Sequence, residues 1–388
     1  MRILMLGNSF TFANHMPDIL ARLTGAEVVH HTRGGARLAE QLNEKTRMGK
    51  LTQSALWNEK WDYVVLQEMS NGPITSKKKF LQNVELLCKQ ISDCSAVPIL
   101  YATWAYERDS KQLEALGMEY DEMYQKMYAS YHEAAELTGA LIADVGQRFY
   151  EIADQKRIYA SDGCHPNEMG SIIAAETIAA VIREDQEKKN TDNTLAYYNQ
   201  NVLNFICTTQ SVDFHEIQQL FLSCLPEKSK ILDFGCGSGR DAKYFLNHGY
   251  DVVAVDGSEE ICEAASKYVG ISVKQMFFQD LNEKNTYDGI WACASVLHLS
   301  KIELPDMFQR MREALKQDGI LYTSFKRGTF EGMRNGRYFT DLTEQSFSEL
   351  LGKNSGLEIE KMWLTKDVRE NRGDEQWLNI ILRKVAIN

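Results

Sequence analysis

A serine, a histidine and an aspartate that could meet in space supply the first chemistry legible in this chain. Ser9 follows the apolar run Ile3-Leu4-Met5-Leu6 through the turn Gly7-Asn8, which sets its hydroxyl at a strand end and its N–H at a helix start. Far along the chain, Asp162-Gly163-Cys164-His165 places a carboxylate three residues ahead of an imidazole. That spacing lets Asp162 hold Nδ1 of His165 and leaves Nε2 free to take a proton from Ser9, the division of labour needed for nucleophilic attack on an acyl group. The structural alternatives are a helix cap for Ser9 and a cap-and-turn pair for Asp162 and His165.

A second constellation begins at Ile231-Leu232-Asp233-Phe234-Gly235-Cys236-Gly237-Ser238-Gly239-Arg240-Asp241. An apolar run that breaks into a glycine turn and then a helical pattern can serve phosphates or other ligands. Arg240 stands where a dinucleotide fingerprint wants its third glycine, which disfavours NAD. Asp256 closes the next apolar run, Val252-Val253-Ala254-Val255, and Asp280 follows Met276-Phe277-Phe278-Gln279.

The elements that must position these groups alternate between strand-like and helix-like patterns, which implies parallel sheets covered by helices. In the first half the strands are expected at 2–6, 63–67, 97–103 and 141–144, with helices at 80–92, 117–138 and 167–183. The stripe Tyr120, Met123, Tyr124, Met127, Tyr128 and Tyr131 has helical spacing, so 117–138 faces either the core or another subunit. Residues 184–193 contain no apolar side chain, which marks the boundary, and Thr194 reads as the N-cap of a helix bearing Tyr197 and Tyr198. In the second half strands are expected at 230–234, 251–255, 273–278, 289–293 and 319–325. Two more, at 357–365 and 377–383, have no helix between them and should pair antiparallel. The expected architecture is therefore α/β: two three-layer α/β/α domains over 1–185 and 195–388, joined by a polar linker at 186–194.

In Ser9, Asp162 and His165 the first half resembles the SGNH, or GDSL-type, hydrolases. The family's Gly-Asp-Ser block appears as Gly7-Asn8-Ser9, and its Asp-x-x-His block as Asp162 to His165. Its strand ending in an oxyanion asparagine resembles 61–71, which puts Asn71 in that role. The oxyanion glycine resembles one of the pair in Arg33-Gly34-Gly35-Ala36, with Gly35 preferred. Two departures stand out: Asn8 replaces the usual aspartate, and Gly-x-Asn-Asp is reduced to Met69-Ser70-Asn71-Gly72. The resemblance implies a flavodoxin-like sheet and a serine esterase or deacylase. Trp104 and Tyr106, after their strand, are expected to line its pocket.

The second half resembles class I S-adenosylmethionine-dependent methyltransferases, whose fold is a Rossmann-like sheet of seven strands. The resemblance implies that Asp233, Gly235, Cys236, Gly237 and Gly239 face the methionine part of S-adenosylmethionine. It also implies that Asp256 accepts from the ribose hydroxyls and Asp280 lies near the adenine amino group. The run 287–298, with Cys293, resembles the fourth-strand motif facing the transferred methyl. Tyr197, Tyr198, His298, Lys326, Arg337, Tyr338, Asp367, Arg369 and Trp377 are pocket candidates for an acceptor. The nearest subgroup resemblance is to small-molecule methyltransferases of the tellurite-resistance type.

Composition sets the bounds. With 388 residues, 44% hydrophobic and 25% charged, the chain is an ordinary globular protein of two or three domains. The formal charge of −11 works against broad binding to nucleic acid, although Lys326, Arg327, Arg334 and Arg337 form a local basic group. Eight cysteines without a CxxC pair read as reduced thiols, with no metal site expected. The absence of a signal-like start and of any ~20-residue apolar run predicts a cytoplasmic protein with no membrane span. The expected partners are a small-molecule ester and a small-molecule methyl acceptor, with an oligomer formed through 117–138 as a further option. The competing reading keeps the methyltransferase and makes the hydrolase-like domain a noncatalytic binding or assembly module.

Overall fold

Short aliphatic runs separated by amphipathic helices leave parallel pairing as the way to bury both faces of each strand. The computed structural model describes residues 1–352, 355–369 and 375–386 and divides the chain into two compact units, Met1–Asp185 and Gln186–Asn388.

The sheet of the first unit has the order β2-β1-β3-β4-β5, built from β1 (Arg2–Gly7), β2 (Glu27–Thr32), β3 (Tyr63–Leu66), β4 (Val97–Tyr101) and β5 (Leu141–Ala143), all parallel. Ile3 to Leu6 are fully buried because β1 has a strand on either side and helices on both faces. β2 was not anticipated. It is the edge strand, and Glu27-Val28-Val29-His30-His31-Thr32 has no alternating apolar pattern to announce it.

The second unit holds a seven-stranded sheet of order β13-β14-β10-β9-β6-β7-β8. Its strands are β6 (Lys230–Phe234), β7 (Asp251–Asp256), β8 (Lys274–Gln275), β9 (Tyr287–Ala292), β10 (Leu315–Lys326), β13 (Leu357–Lys366) and β14 (Gln376–Lys384). A separate hairpin, β11 (Glu331–Arg334) and β12 (Arg337–Thr340), follows β10. β13 and β14 pair antiparallel, as the missing helix between them requires, and β14 pairs antiparallel with β10. Both units are thus α/β, the second with seven strands in its main sheet.

Two expectations change, and one of two alternatives is seen. The helix expected to stop at Arg183 runs over Glu168–Gln200. The polar run at 184–193 lacks apolar residues, but its Glu, Gln and Lys are strong helix formers with no Gly or Pro among them, so helix propensity wins locally. Thr194 lies inside that helix, its Oγ1 donating to the Asn190 carbonyl at 2.8 Å, rather than capping a new one. Finally, the aromatic stripe belongs to Tyr120–Thr138, and Tyr120, Met123, Tyr124, Met127 and Tyr131 are buried in the first unit's own core. Among the described residues no helix is long and apolar enough to cross a membrane.

Candidate active sites

Ser9 opens the helix Ser9–Phe12, directly beyond β1, and the turn before it depends on close packing. A Cβ on Gly7 would lie 2.4 Å from Thr11 Oγ1 and 2.7 Å from Gln67 Oε1, so only glycine lets Gln67 approach. Gln67 Oε1 then accepts from Asn8 N–H at 2.9 Å. The Asn8 side chain, 2% exposed, accepts from Phe10 N–H through Oδ1 and donates through Nδ2 to the Ala36 carbonyl at 3.0 Å and, more weakly, to the Glu68 carbonyl at 3.4 Å. An aspartate could not make the two donations, which gives the family departure a physical reason. Glu68 itself is buried, and that burial raises its carboxyl pKa despite N–H donors from Met69 and Leu38.

The three reactive groups meet. Ser9 Oγ lies 2.9 Å from His165 Nε2, and His165 Nδ1 lies 2.5 Å from Asp162 Oδ2. The other carboxylate oxygen of Asp162 accepts from the N–H groups of Cys164 and His165, each at 3.0 Å. Partial burial pushes the Asp162 pKa up, but these hydrogen bonds prevail and hold the carboxyl below its usual value. The imidazole is also gripped by rings: Phe10 meets it edge-on with centroids 5.3 Å apart, and Trp104 stacks between Phe10 and Phe149. Trp104 is fully buried and donates Nε1–H to the Cys164 carbonyl at 3.0 Å. It is therefore a support beneath the His165 loop rather than a pocket wall. Tyr106, 5% exposed, bonds Ser70 Oγ at 2.7 Å and is likewise embedded.

The three expected oxyanion donors share one property. Among the described residues, no acceptor engages Ser9 N–H, Gly35 N–H or Asn71 Nδ2. Gly35, at φ +68, sits in the turn tied to the Ser9 corner by the Asn8–Ala36 bond. Asn71 caps the short helix Gly72–Thr75 and is half-buried.

In the second unit a cavity of about 480 Å³ opens at the carboxyl ends of β6, β7, β9 and β10. Gly235, Cys236, Gly237, Asp256 and Cys293 line it. Gly235 and Gly237 have φ of +80 and +53, conformations that bring backbone to the surface where a side chain would intrude. Asp256 Oδ2 accepts from Gly237 N–H and Oδ1 from Ser258 N–H, both at 3.0 Å; burial nevertheless raises its carboxyl pKa. Burial likewise lifts the Cys293 thiol to about 12, so it is no nucleophile.

The structure does not bring every expected residue to this wall. Asp233 is 2% exposed behind it, with one oxygen lacking a hydrogen-bond partner; burial beside the Asp241 carboxylate drives its pKa well up. Gly239 lies at the helix start, where a Cβ would strike Val269 at 2.4 Å, so its role is packing. Asp280 is exposed and turned back on itself, Oδ2 accepting from Phe277 N–H at 3.2 Å, because β8 ends early and a tight turn follows. Phe277, Phe278 and Gln279 line the cavity in its place.

Residues undervalued in the sequence complete the wall. Arg240, read only as a missing glycine, forms a two-pronged ion pair with Asp241 at 2.8 Å, and Asp241 also accepts from Trp291 Nε1 and Gln218. The adjacent Arg-Asp dipeptide was the available signal. His298 Nδ1–H donates to the Tyr338 carbonyl at 2.6 Å, which leaves Nε2 to accept from Tyr198 O–H at 2.9 Å. Burial lowers the His298 pKa to about 4, so the ring is neutral. Of the local basic group, Lys326, Arg334 and Arg337 line the cavity, whereas Arg327 pairs with Glu344 at the surface.

Both halves of the chain are similar to known proteins. Residues 231–319 match the model of a methyltransferase domain, and residues 42–147 match a domain of unknown function, DUF4886. A solved structure from Slackia heliotrinireducens, provisionally described as an SGNH hydrolase, is 51% identical over 47% of this chain and 98% of its own, with a TM-score of 0.46. Two curated proteins provisionally named methyltransferases are similar to the second half. YqeM of Bacillus subtilis is 34% identical over 26% of this chain, and a Geobacillus protein is 31% identical over 24%. The chain spans less than half the length of those two relatives, 46% and 40%.

Proposed function

We propose that this chain, whose first half belongs to the SGNH hydrolases and whose second half carries a methyltransferase domain, is a two-site enzyme. It joins a serine esterase or deacylase to S-adenosylmethionine-dependent methylation of a small molecule. The observation that carries the hydrolase half is the unbroken line Ser9 Oγ, His165 Nε2, His165 Nδ1, Asp162 Oδ2. Ser9 Oγ attacks the ester carbonyl as its proton passes to Nε2. Asp162 keeps Nδ1 protonated and stabilises the imidazolium, and Ser9 N–H, Gly35 N–H and Asn71 Nδ2 receive the oxyanion. The imidazolium then protonates the departing alcohol, and water, deprotonated by the same histidine, releases the acid.

The second cavity fits S-adenosylmethionine by its chemistry. Its turn carries no side chain at Gly235 and Gly237, a carboxylate stands at the end of β7, and Ser295 on its wall has a buried hydroxyl without a hydrogen-bond partner. Gly235, Cys236 and Gly237 would hold the methionine part and Asp256 the ribose hydroxyls. When bound, that cofactor supplies an electrophilic methyl group on its sulfonium. This chain's own contribution is to exclude water and orient the acceptor, since displacement at methyl is governed by alignment.

Hydrolysis of p-nitrophenyl acetate by the wild type and Ser9→Ala tests the first site; equal rates would defeat the esterase assignment. Calorimetric titration with S-adenosylhomocysteine tests the second. Failure to bind, or binding indifferent to Asp256→Ala, would defeat the cofactor assignment.

A further inference from the structure

Arg240, Lys326, Arg334, Arg337 and Arg369 line the cavity of the second unit, and these cations are not equivalent. Arg240 is paired with Asp241, Lys326 with Glu375, Arg334 with Asp341 at 2.7 Å, and Arg369 with Asp367 at 2.5 Å. Each of those charges is already neutralised by the protein. Arg337 is different: among the described residues no carboxylate pairs with it, although it lines the same cavity.

Its position is built rather than incidental. Arg334-Asn335-Gly336-Arg337 closes the β11–β12 hairpin, with positive φ at both Asn335 and Gly336, the geometry of a tight two-residue turn that fixes where the next side chain emerges. The guanidinium lies 4.3 Å from the Tyr197 ring centroid and 5.1 Å from that of Phe339, so aromatic faces hold its plane. One of its amino groups is used: Nη1 donates to Tyr198 Oη at 3.4 Å, and Tyr198 in turn donates to His298. The opposite edge, Nε with Nη2, is unused. Nε is buried and has no hydrogen-bond partner, and no acceptor among the described residues engages Nη2. A buried donor left unpaired is costly, and Nη2 beside it is the guanidinium donor left for an oxygen of a bound carboxylate.

We propose that Arg337 is the carboxylate anchor of the methyl acceptor, so that the acceptor is a small carboxylic acid whose body lies among Tyr198, Phe339, Leu297 and Trp377. The proposal rests on the methyltransferase reading of this cavity. It assigns Arg337 to binding, with no part in proton transfer.

The test uses the full-length protein saturated with S-adenosylhomocysteine, with benzoate and its uncharged counterpart benzamide as probes, each titrated into wild type and Arg337→Gln by ligand-observed NMR. The expected result is that benzoate binds the wild type at least tenfold more tightly than benzamide and loses that advantage in Arg337→Gln. Affinity for S-adenosylhomocysteine should stay within twofold in the variant, which also shows that the cavity is intact. Equal binding of benzoate and benzamide to the wild type, or no binding of benzoate, overturns the proposal. So does a tenfold loss of S-adenosylhomocysteine affinity in Arg337→Gln, because the arginine would then serve the cofactor. Failure of the wild type to bind S-adenosylhomocysteine is a separate result that removes the underlying methyltransferase reading.

Discussion

Restoring the family's usual residue at position 8 should damage this protein. In Asn8→Asp the side chain keeps its bond from Phe10 N–H but loses both donations, to Ala36 O at 3.0 Å and Glu68 O at 3.4 Å. Leaving the buried Ala36 carbonyl without its donor costs about 1–3 kcal/mol, and the longer bond adds little. Facing a carboxylate against two carbonyls in a site 2% exposed raises the sum to roughly 2–4 kcal/mol. With a urea slope of ~2 kcal/mol/M, the first unit's midpoint should fall by about 1–2 M at pH 7. The folded state would raise the pKa of the new carboxyl. The ionisation penalty is therefore absent below the ordinary carboxylate range, grows as pH rises from there to the raised value, and is complete above it. Urea titrations followed by intrinsic fluorescence at pH 5 and pH 7, with the transition shifted by S-adenosylhomocysteine marking the second unit, measure both effects. A variant with the wild-type midpoint at pH 7, or a deficit indifferent to pH, would refute the reasoning.

Three further outcomes follow from the geometry. Asp162→Asn should leave KM for p-nitrophenyl acetate nearly unchanged and lower kcat by roughly 10³–10⁴, because the amide no longer fixes the working tautomer of His165; a loss under tenfold would argue against the triad. Asp256→Ala should weaken S-adenosylhomocysteine by about 10- to 100-fold in calorimetry, the worth of hydrogen bonds to a charged group, and an unchanged affinity would place the ribose elsewhere. The buried His298, at about 4 against 6.5 unfolded, takes up fewer protons when folded. Its contribution is thus fully present above the unfolded value and is lost as pH falls toward about 4, by up to roughly 3 kcal/mol. Denaturation at pH 7.5, 5.5 and 4 should therefore show a steeper acid loss in wild type than in His298→Gln; equal slopes would count against a neutral buried ring.

The trio Ser9, His165 and Asp162 was legible because strand, turn and helix periods fix where Ser9 and His165 fall, and because the blocks holding Gly35 and Asn71 stand between them in the expected order. What stayed hidden depends on packing between distant segments. Trp104 follows a strand and looked like a pocket wall, yet its ring is captured between Phe10 and Phe149 and its N–H by Cys164. Asp280 is placed near the adenine by family resemblance alone, but β8 stops after two residues and the tight turn that follows points the carboxylate back on its own backbone. The helix Glu168–Gln200 ran on because propensity does not require burial, so a stretch without apolar residues marks a change of unit without breaking the helix. The β11–β12 hairpin could have been found: Asn335-Gly336 between short polar-apolar runs is a strong turn signal. Its consequence, the unpaired edge of Arg337, arises only once the other cations are seen with their carboxylates.

The central claim is that one chain holds a reactive serine and, separately, a cofactor-binding cavity. Native mass spectrometry of the full-length protein after exposure to a fluorophosphonate and S-adenosylhomocysteine reads both at once. The expected spectrum shows one covalent adduct per chain, absent in Ser9→Ala, together with one noncovalently bound S-adenosylhomocysteine whose occupancy Asp256→Ala lowers. A wild-type chain that takes up neither, or an adduct that persists in Ser9→Ala, would contradict it.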